Sequence, residues 1–476
     1  MLEKIKIKNY RSICNEEIPL SNLTAFIGQN NSGKSNILKA LDILLGERWP
    51  TAPFDDEDFF NYATSNPIEI ETKFRRNLAT NTECWGFKLT YNGSQVDYFP
   101  IDQNGARCQY SKYINRYMRD EAFLMYIGLD RKTEYQLKPT KWTIYGKLIK
   151  RIEETLTDIN KSTFINELDI NYNTNLFPTL RTTLQSVIDY TKEQTGLDLD
   201  FEFKSIDPLS VLKNIRPYIR ETTTRLTDVD NVGAGIQSAI TIALARAYAD
   251  IVQRPVTIVM EEPELYLHPH ACRHFYKLLK SLSGPNLQII YATHERCFVN
   301  INDYQSIRIV KKVNNETKVK YVTNLATTPS NDLRLISKCD ESMNELFFAR
   351  TVIFVEGFDD KLACILGLAK EGVDIDKENV SVIEASGRGD IYYLCNLTKQ
   401  FDIKTLAIYD EDATSDIRRT EALIGSLNVF VQRPDNLEGM LGISGHVDKI
   451  RAIRELPIWF QNNPNPSIYS AMKTIL

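Results

Sequence analysis

The sequence has no apolar run of the about 18 residues that a membrane helix needs, so none of its helices is expected to span a bilayer. No signal peptide is expected at its start. The N-terminal MLEKIKIKNYRS alternates Leu and Ile with Lys, without an apolar core or small-residue cleavage site, and reads as an amphipathic strand. None of the eight cysteines (Cys14, Cys84, Cys108, Cys272, Cys297, Cys339, Cys364, Cys395) stands in C-x-x-C spacing. That excludes the usual zinc frameworks and leaves scattered reduced thiols in a cytoplasmic protein as the expectation. There is no repeat, no low-complexity tract, no long Gly/Ser linker and no helix-turn-helix or zinc signature. No four heptads follow one another, so no long coiled-coil arm is expected. An excess of positive charge is missing too. Lys and Arg number 57 against 62 Asp and Glu, a formal net charge of −5, which argues against a simple basic DNA-coating protein but leaves room for a local basic groove.

What is present begins with length. At about 150 residues per domain, a chain of 476 residues holds two to four domains. Residues 1–75 carry two short strand patterns, a helix and an acidic turn, 54-FDDEDFF-60. Residues 76–225 start strand-like (86-GFKLTYN-92) and turn helical (143-TIYGKLIKRIEETL-156, 182-TTLQSVIDYTKEQ-194), with no catalytic motif. Residues 226–325 return to short apolar strands. Polar linkers are expected at 313-VNNETK-318 and 326-ATTPSND-332, ahead of another strand–helix alternation over 345–476.

The first chemical signal is 28-GQNNSGKS-35, which fits G-x-x-x-x-G-K-[ST]. It lies between a buried strand, 23-LTAFIG-28, and a helix, 35-SNILKALDILLG-46, the context that makes the motif credible. Backbone N–H groups of Gly28, Asn30, Asn31 and Gly33 and the helix N-terminus are expected to cradle phosphates. Lys34 would neutralise them and the Ser35 hydroxyl would reach Mg2+. Three further stretches belong with it. The strand 256-VTIVMEEPELYLHP-269 ends in Glu261, placed for the Mg2+ shell, and Glu262, placed to polarise a water. The strand 287-LQIIYATHE-295 ends at His294, a candidate γ-phosphate sensor. The turn 232-VGAGIQSAI-240, with Gly235 and Gln237, opens a helix whose N–H groups suit a γ-phosphate. The two strands are expected side by side, their polar ends converging on the phosphates.

This set resembles the ABC-type ATPase heads of the SMC/RecF kind, through KIKNYRS, EEPE and ATHE. The resemblance implies that the Gly-rich turn acts in trans, hence a homodimer or higher homo-oligomer with ATP between chains. Two departures stand out: the turn reads GAGIQ rather than SGGQ, and the usual Asp of the Mg2+ strand is Glu261. Asp58 stands near the position of the family's Mg2+-contacting Gln. The interval between phosphate loop and EEPE is expected to be a compact helical dimerisation insert.

The second signal lies in 347-FFARTVIFVEGFDDKLA-363. The strand TVIFV ends at Glu356, and Asp360 falls in the first turn of the next helix. Then come 380-VSVIEASGRGD-390 and 404-KTLAIYDED-412, with Asp410 and Asp412 spaced i, i+2, expected on one side of a strand end. Carboxylates so close raise one another's pKa unless a cation intervenes. Hard oxygen ligands suit Mg2+ or Mn2+, and two such ions about 3.5–4 Å apart activate water and steady the leaving oxygen of a phosphodiester. The region resembles a Toprim domain. A head followed by FFARTVIFVEG and D-x-D resembles the OLD (overcoming lysogenisation defect) family of ATP-dependent nucleases. The resemblance implies Glu356, Asp360, Asp410 and Asp412 as metal ligands, Glu438 of 435-DNLEGML-441 at a second metal, and Ser386 to Gly389 near the scissile phosphate. The family has a Lys near the C-terminus. Here the sequence reads 463-NPNPSIYSAMKTIL-476, where Lys473 is a candidate by proximity alone.

Basic clusters at 213-KNIRPYIRETTTR-225, 73-KFRR-76 and 310-VKKVNNETKVK-320 are the candidates for salt-dependent DNA backbone contact, the first because it runs into the Gly-rich turn. The expected architecture is α/β: an ATPase head over 1–140 and 223–340, a mostly helical dimerisation insert over 141–222, and a Toprim parallel-sheet domain over 341–476. The expected activity is that of an ATP-binding and ATP-hydrolysing, Mg2+- or Mn2+-dependent DNA nickase. The family resemblance adds anti-phage defence, beside a helicase or within a retron whose reverse transcriptase and DNA–RNA product restrain it. The alternative is a DNA-binding clamp with a non-catalytic Toprim domain.

Overall fold

The computed structural model describes residues 1–51, 54–128, 138, 140, 143–155, 162–163, 185–187, 189, 192–193, 218–220, 226–252, 254–265, 267–324, 341–385, 387–432, 437, 449–462 and 467–476. Its strands are β1 (Leu2–Tyr10), β2 (Ile13–Pro19), β3 (Leu23–Ile27), β4 (Ile68–Phe74), β5 (Gly86–Tyr91), β6 (Val96–Ile101), β7 (Leu124–Ile127), β8 (Tyr218–Arg220), β9 (Leu226–Asp228), β10 (Val256–Glu261), β11 (Leu287–Thr293), β12 (Ile307–Val313), β13 (Glu316–Tyr321), β14 (Thr351–Val355), β15 (Val380–Glu384), β16 (Lys404–Asp410) and β17 (Val429–Gln432). The chain divides into two compact units, Met1–Leu129 with Thr257–Leu476, and Asp130–Val256.

The larger unit holds three sheets. The first is antiparallel, in the order β2-β1-β4-β5-β6. The Ile/Lys alternation of β1 buries Ile5 and Ile7 and turns Lys4, Lys6 and Lys8 outward, where they pair with Glu17 and Glu69. The second runs β13-β12-β3-β11-β10-β7, with β3 parallel to both β11 and β12. Its central strands, LTAFI and LQIIYAT, are buried at every residue, as continuous apolar runs in covered parallel strands are. One core joins the two sheets: helix Lys34–Leu45 sets Ile37, Leu38, Leu41 and Leu44 between Ile5 and Ile70 on one side and Phe26 and Ile290 on the other.

The stretch 313-VNNETK-318 is not the linker its polarity suggests. Asn314 and Asn315 both take positive φ, 50° and 64°, and close a two-residue turn that pairs Val313 with Glu316. Asparagine tolerates that backbone, and such a turn matches the twist of an antiparallel hairpin. The second expected linker, 326–332, lies outside the described residues.

The third sheet is wholly parallel, in the order β15-β14-β16-β17. Ile353, Val355, Leu406 and Ile408 form its core with Ala363, Cys364 and Leu368 of helix Phe358–Lys370. Leu456 and Phe460 of helix Lys449–Asn462 and Tyr469 and Met472 of helix Ser467–Ile475 complete it.

In the smaller unit, β8 and β9 pair antiparallel. Helix Ile144–Thr155 buries Ile144, Tyr145, Leu148 and Ile149, a helical stripe, and packs on helix Ala234–Val252, which buries Ile242, Ala245 and Ala249. The pattern at 182–194 is helical where it is described. Among the described residues no helix is long and apolar enough to cross a membrane, and seven cysteines are free thiols.

Candidate functional site

The phosphate loop leaves the end of β3 and is pressed against the β12–β13 hairpin. Gly28 has φ +148°, and a Cβ there would meet the Val310 carbonyl oxygen at 2.1 Å; Gly33 has φ +109°, and its Cβ would meet Thr317 Oγ1 at 2.1 Å. Both positions therefore require glycine. Lys34 is buried and its Nζ donates to the carbonyls of Gly28 (2.7 Å) and Gln29 (3.1 Å). Burial lowers its pKa, while the charges of Glu262 and Glu264 act the other way. Gln29, Asn30, Asn31 and Ser35 are exposed beside it.

A relay of hydrogen bonds fixes the loop. Asn36 Nδ2 donates to Ser12 Oγ (2.8 Å), Ser12 Oγ lies 2.7 Å from Thr317 Oγ1, and Thr317 Oγ1 donates to the Ser32 carbonyl (2.8 Å). The Ser of KNYRS is thus a strut of the loop. Its Arg11 donates to Asp58 Oδ1 at 2.8 Å, so in this structure the acidic turn serves as the partner of Arg11. Thr317 is fully buried. Thr317→Val keeps its shape but leaves the Ser32 carbonyl without its donor, a loss of about 1–3 kcal/mol. Thermal unfolding should show a lower Tm, and ATP titration a higher Kd.

β10 and β11 are neighbours, and the Glu262 N–H donates to the Ala292 carbonyl (2.7 Å), which brings their ends together. Glu261 is buried and accepts from the Tyr126 hydroxyl at 2.7 Å. Glu262 takes φ 45°, an unusual backbone for a non-glycine residue that turns its carboxylate toward His294, whose Nδ1 lies 2.6 Å from Glu262 Oε2. Glu264, buried behind them, accepts from Thr293 Oγ1 and from the His294 N–H. Burial and then the facing Glu262 carboxylate hold Glu264 well above the ordinary carboxylate range. Ligand atoms of Glu262, Glu264 and His294 lie within 4.8 Å of one another. Glu264 and Tyr126 were not singled out from sequence. Glu264 is part of EEPE; Tyr126 sits in LMYI, which carries no polar signature.

The Gly-rich turn lies in the smaller unit. Helix Ala234–Val252 contains Gly235 and Gln237; Gln237 is buried and its Nε2 donates to the Val229 carbonyl at 2.9 Å. The basic stretch 213–225 lies mostly outside the described residues. The other two clusters are largely engaged within the fold: Arg75 bonds Asn22 and the Leu20 carbonyl, Lys311 the Asp402 carbonyl, and Lys318 pairs with Glu16 and Glu316.

In the parallel sheet, β14 and β16 are adjacent, so Glu356 and Asp410 stand at neighbouring strand ends with Asp360 in the helix turn that follows, but among the described residues the carboxylate oxygens of these acids do not close into a set as tight as Glu262, Glu264 and His294. Glu356 is half-buried and its Oε1 accepts from the Asp410 N–H at 3.3 Å. Asp360 accepts from the Gly357 N–H (3.0 Å) and from Gln432 Nε2 (3.0 Å). β16 ends at Asp410, so Asp412 does not share the strand face as simple alternation suggests. The chain turns there, with Ala413 N–H donating to the Asp410 carbonyl (3.2 Å), and Asp412 projects into solvent against Arg388 Nη1 at 2.9 Å. Burial raises the Glu356 pKa; Asp360 and Asp412 add to it, and the Asp410 N–H and Arg388 oppose it. Ser386 and Glu438 lie outside the described residues. Gln432, buried at the end of β17, escaped the sequence, and position at a parallel-strand end is the signal that would have found it. Arg388 stands in the Ser386 to Gly389 turn that the resemblance puts near the scissile phosphate, but its pairing with Asp412 was not foreseen.

Lys473 faces elsewhere. Its Nζ donates to the carbonyl of Glu371 (2.5 Å), at the far end of the helix whose first turn holds Asp360, roughly 16 Å along the helix axis.

The head and the parallel-sheet domain touch at two places. Asn344 bonds Val299 and Ile301 (2.8 and 3.0 Å). The β12–β13 hairpin reaches Asp402 through Lys311 (2.6 Å) and Lys320 (3.3 Å). A cavity of about 440 Å³ lies between Gly28–Ser32, Ile309–Lys312 and Phe347–Arg350.

Residues 1–83 and 109–299 match the AAA ATPase domain family, and residues 347–412 match the overcoming lysogenization defect protein-like TOPRIM domain. The chain is 28% identical to an OLD nuclease of Thermus scotoductus, over 96% of this chain and 94% of that one. It is 23% identical to the Old nuclease of Escherichia phage P2, over 88% of this chain and 78% of that one. Over 33% of this chain and 26% of the relative it is 29% identical to the Endonuclease GajA of Bacillus cereus.

Proposed function

The chain belongs to the AAA ATPase domain family and carries an OLD-like TOPRIM domain, and from that premise we propose that it is an ATP-controlled, divalent-metal-dependent DNA endonuclease. The observation that carries this reading is the placement of Glu356 and Asp410 at adjacent parallel strand ends, with Asp360 in the next helix turn and Asp412 beyond, in a domain reached by the hairpin that holds the phosphate loop.

The donor set fits hard divalent ions: four carboxylates, no thiol or imidazole among those four, and one acid raised in pKa by burial and then by its acidic neighbours. Ions bound there would lower the pKa of a water and neutralise charge on the departing oxygen of a phosphodiester. The chain's own part is to hold the ligands. Gln432 and the Gly357 N–H orient Asp360, and the Asp410 N–H orients Glu356. Because the Glu356 pKa is raised, protons compete for it at higher pH than for a free carboxylate. Mn2+ affinity should therefore drop by roughly tenfold per pH unit below that raised value, and Glu356→Gln should flatten the profile.

In the head, Lys34 with the loop N–H groups would hold the β- and γ-phosphates of ATP, Ser35 and Glu261 would hold its Mg2+, and Glu262 would orient a water. His294, bonded to Glu262 through Nδ1, would keep Nε2 for the γ-phosphate. Gly235 and Gln237 serve a second copy, with 141–222 as the dimerisation insert of a head spanning 1–140 and 223–340, ahead of a nuclease domain over 341–476. Glu438 is assigned to a second metal.

The experiment is nicking of supercoiled plasmid in Mg2+ or Mn2+. The competing reading, an ATP-driven clamp with an inactive TOPRIM domain, draws on the placement of Lys473; a chain that binds DNA with ATP and never nicks under either metal supports it. A role in anti-phage defence, beside a helicase or a reverse transcriptase, rests on the family resemblance. Phage challenge of cells carrying the wild type or Asp410→Ala tests it.

A further inference from the structure

Resting on the reading that the four carboxylates hold divalent ions, we propose that Arg388 is the residue that grips the DNA phosphate at this site. In this structure it pairs with Asp412, and a metal ion taking that carboxylate would release it.

Arg388 opens helix Arg388–Gln400, directly after Gly387, at the end of β15, the neighbour of the strand that ends at Glu356. Its guanidinium therefore comes from a third strand end on the edge where the acids gather. A cation in the first turn of a helix opposes the helix dipole, so stability of the helix does not account for it. Among the described residues it pairs with Asp412, through a single Nη1 contact of 2.9 Å, with the two side chains 48% and 72% exposed. A pair that exposed is weak and exchanges readily. Its charge also favours the ionised form of Glu356.

Three other cations of the domain are engaged elsewhere. Lys473 is held at Glu371, Arg419 stacks over the Tyr392 ring (3.6 Å from guanidinium carbon to centroid), and Arg350 pairs with Glu378 (3.6 Å). A guanidinium offers five donors in a planar fork that matches phosphate oxygens, and Asp412 uses one arm. When Asp412 turns to an ion, the fork is left at the rim of the site, where a phosphodiester approaching the same ion must pass. Metal and DNA binding are thereby coupled: without metal, Arg388 is tied and clustered carboxylates repel the backbone; with metal, both obstacles are removed.

The test uses the full chain and two readouts that do not depend on cleavage. Mn2+ binding is followed by electron paramagnetic resonance, and binding of a labelled DNA duplex in Ca2+ by fluorescence anisotropy across a salt series. Arg388→Ala should bind Mn2+ about two- to five-fold more tightly, because a competitor for Asp412 is gone. It should bind the duplex more weakly in Ca2+, with a salt slope smaller by about one, and Arg388→Lys should restore part of that slope. Mn2+ affinity unchanged or weakened, together with an unchanged slope, overturns the role of Arg388. Asp410→Ala separates the two levels of the argument. If it loses Mn2+ while Arg388→Ala changes nothing, the role of Arg388 alone is refuted. If it keeps wild-type Mn2+ affinity, the metal site itself is refuted, and the role of Arg388 with it.

Discussion

Asp410→Ala should lower Mg2+- or Mn2+-dependent nicking by more than about 10²-fold, because even outer partners of metal ligands cost 10–100-fold when removed. Asp410 closes β16 beside Glu356, and its N–H holds that carboxylate. Ala keeps the N–H that holds Glu356 and removes the carboxylate, so the fold should persist and ATP hydrolysis should be unchanged. Stability gives a second, independent reading. Clustered like charges disfavour the ion-free state, so Tm without metal should hold or rise in the variant. The stabilisation that Mn2+ gives the wild type should disappear. A variant that unfolds at lower temperature without metal, yet gains as much from Mn2+ as the wild type, would place the ions elsewhere.

Lys34→Ala should abolish the nucleotide response. Lys34 is the buried charge of the loop and is braced on the Gly28 and Gln29 carbonyls. With a phosphate present, the same ammonium trades those carbonyls for an anionic partner, an exchange that favours ATP strongly in a site of low polarity. Its removal should lower ATP hydrolysis by about 10²–10³-fold, the usual loss for a transition-state charge donor. It also leaves carbonyls without their donor, so Tm should fall by an amount matching about 1–3 kcal/mol. Basal nicking should survive, since no ligand of the carboxylate site is touched. Only its dependence on ATP should be lost.

Much of the architecture was readable because it is written in short apolar runs with polar ends. TVIFV-EG and KTLAIYD announce parallel strands and where they stop, and FIG ahead of a GKS-headed helix announces the phosphate loop. Pairings between strands distant in sequence were harder to read. Nothing local says that VNNETK is a turn rather than a linker, since asparagines suit both; only its pairing partners, Val313 and Glu316, decide. The same distance hid the Ser12–Thr317–Ser32 relay, whose members lie about as far apart in sequence as the head allows. The D-x-D spacing suggested a shared strand face, but β16 ends at Asp410, two residues short of Asp412, so alternation does not hold. Lys473 is near the right end of the chain and at the wrong end of the sheet, a difference that sequence position cannot carry. Arg388 shows the converse: a charge at a helix start looks like surface until Asp412 is seen beside it.

The hairpin β12–β13 is the element that could make one machine of two sites. Thr317 on it holds the phosphate loop, and Lys311 and Lys320 on it hold Asp402, which follows the helix that begins at Arg388. The measurement that tests this most directly is the nicking rate of supercoiled plasmid in Mn2+, with and without ATP, for wild type and Lys34→Ala side by side. The account predicts that ATP changes the wild-type rate and leaves the Lys34→Ala rate where it was. A wild-type rate indifferent to ATP, with the nucleotide shown to be bound, would contradict it.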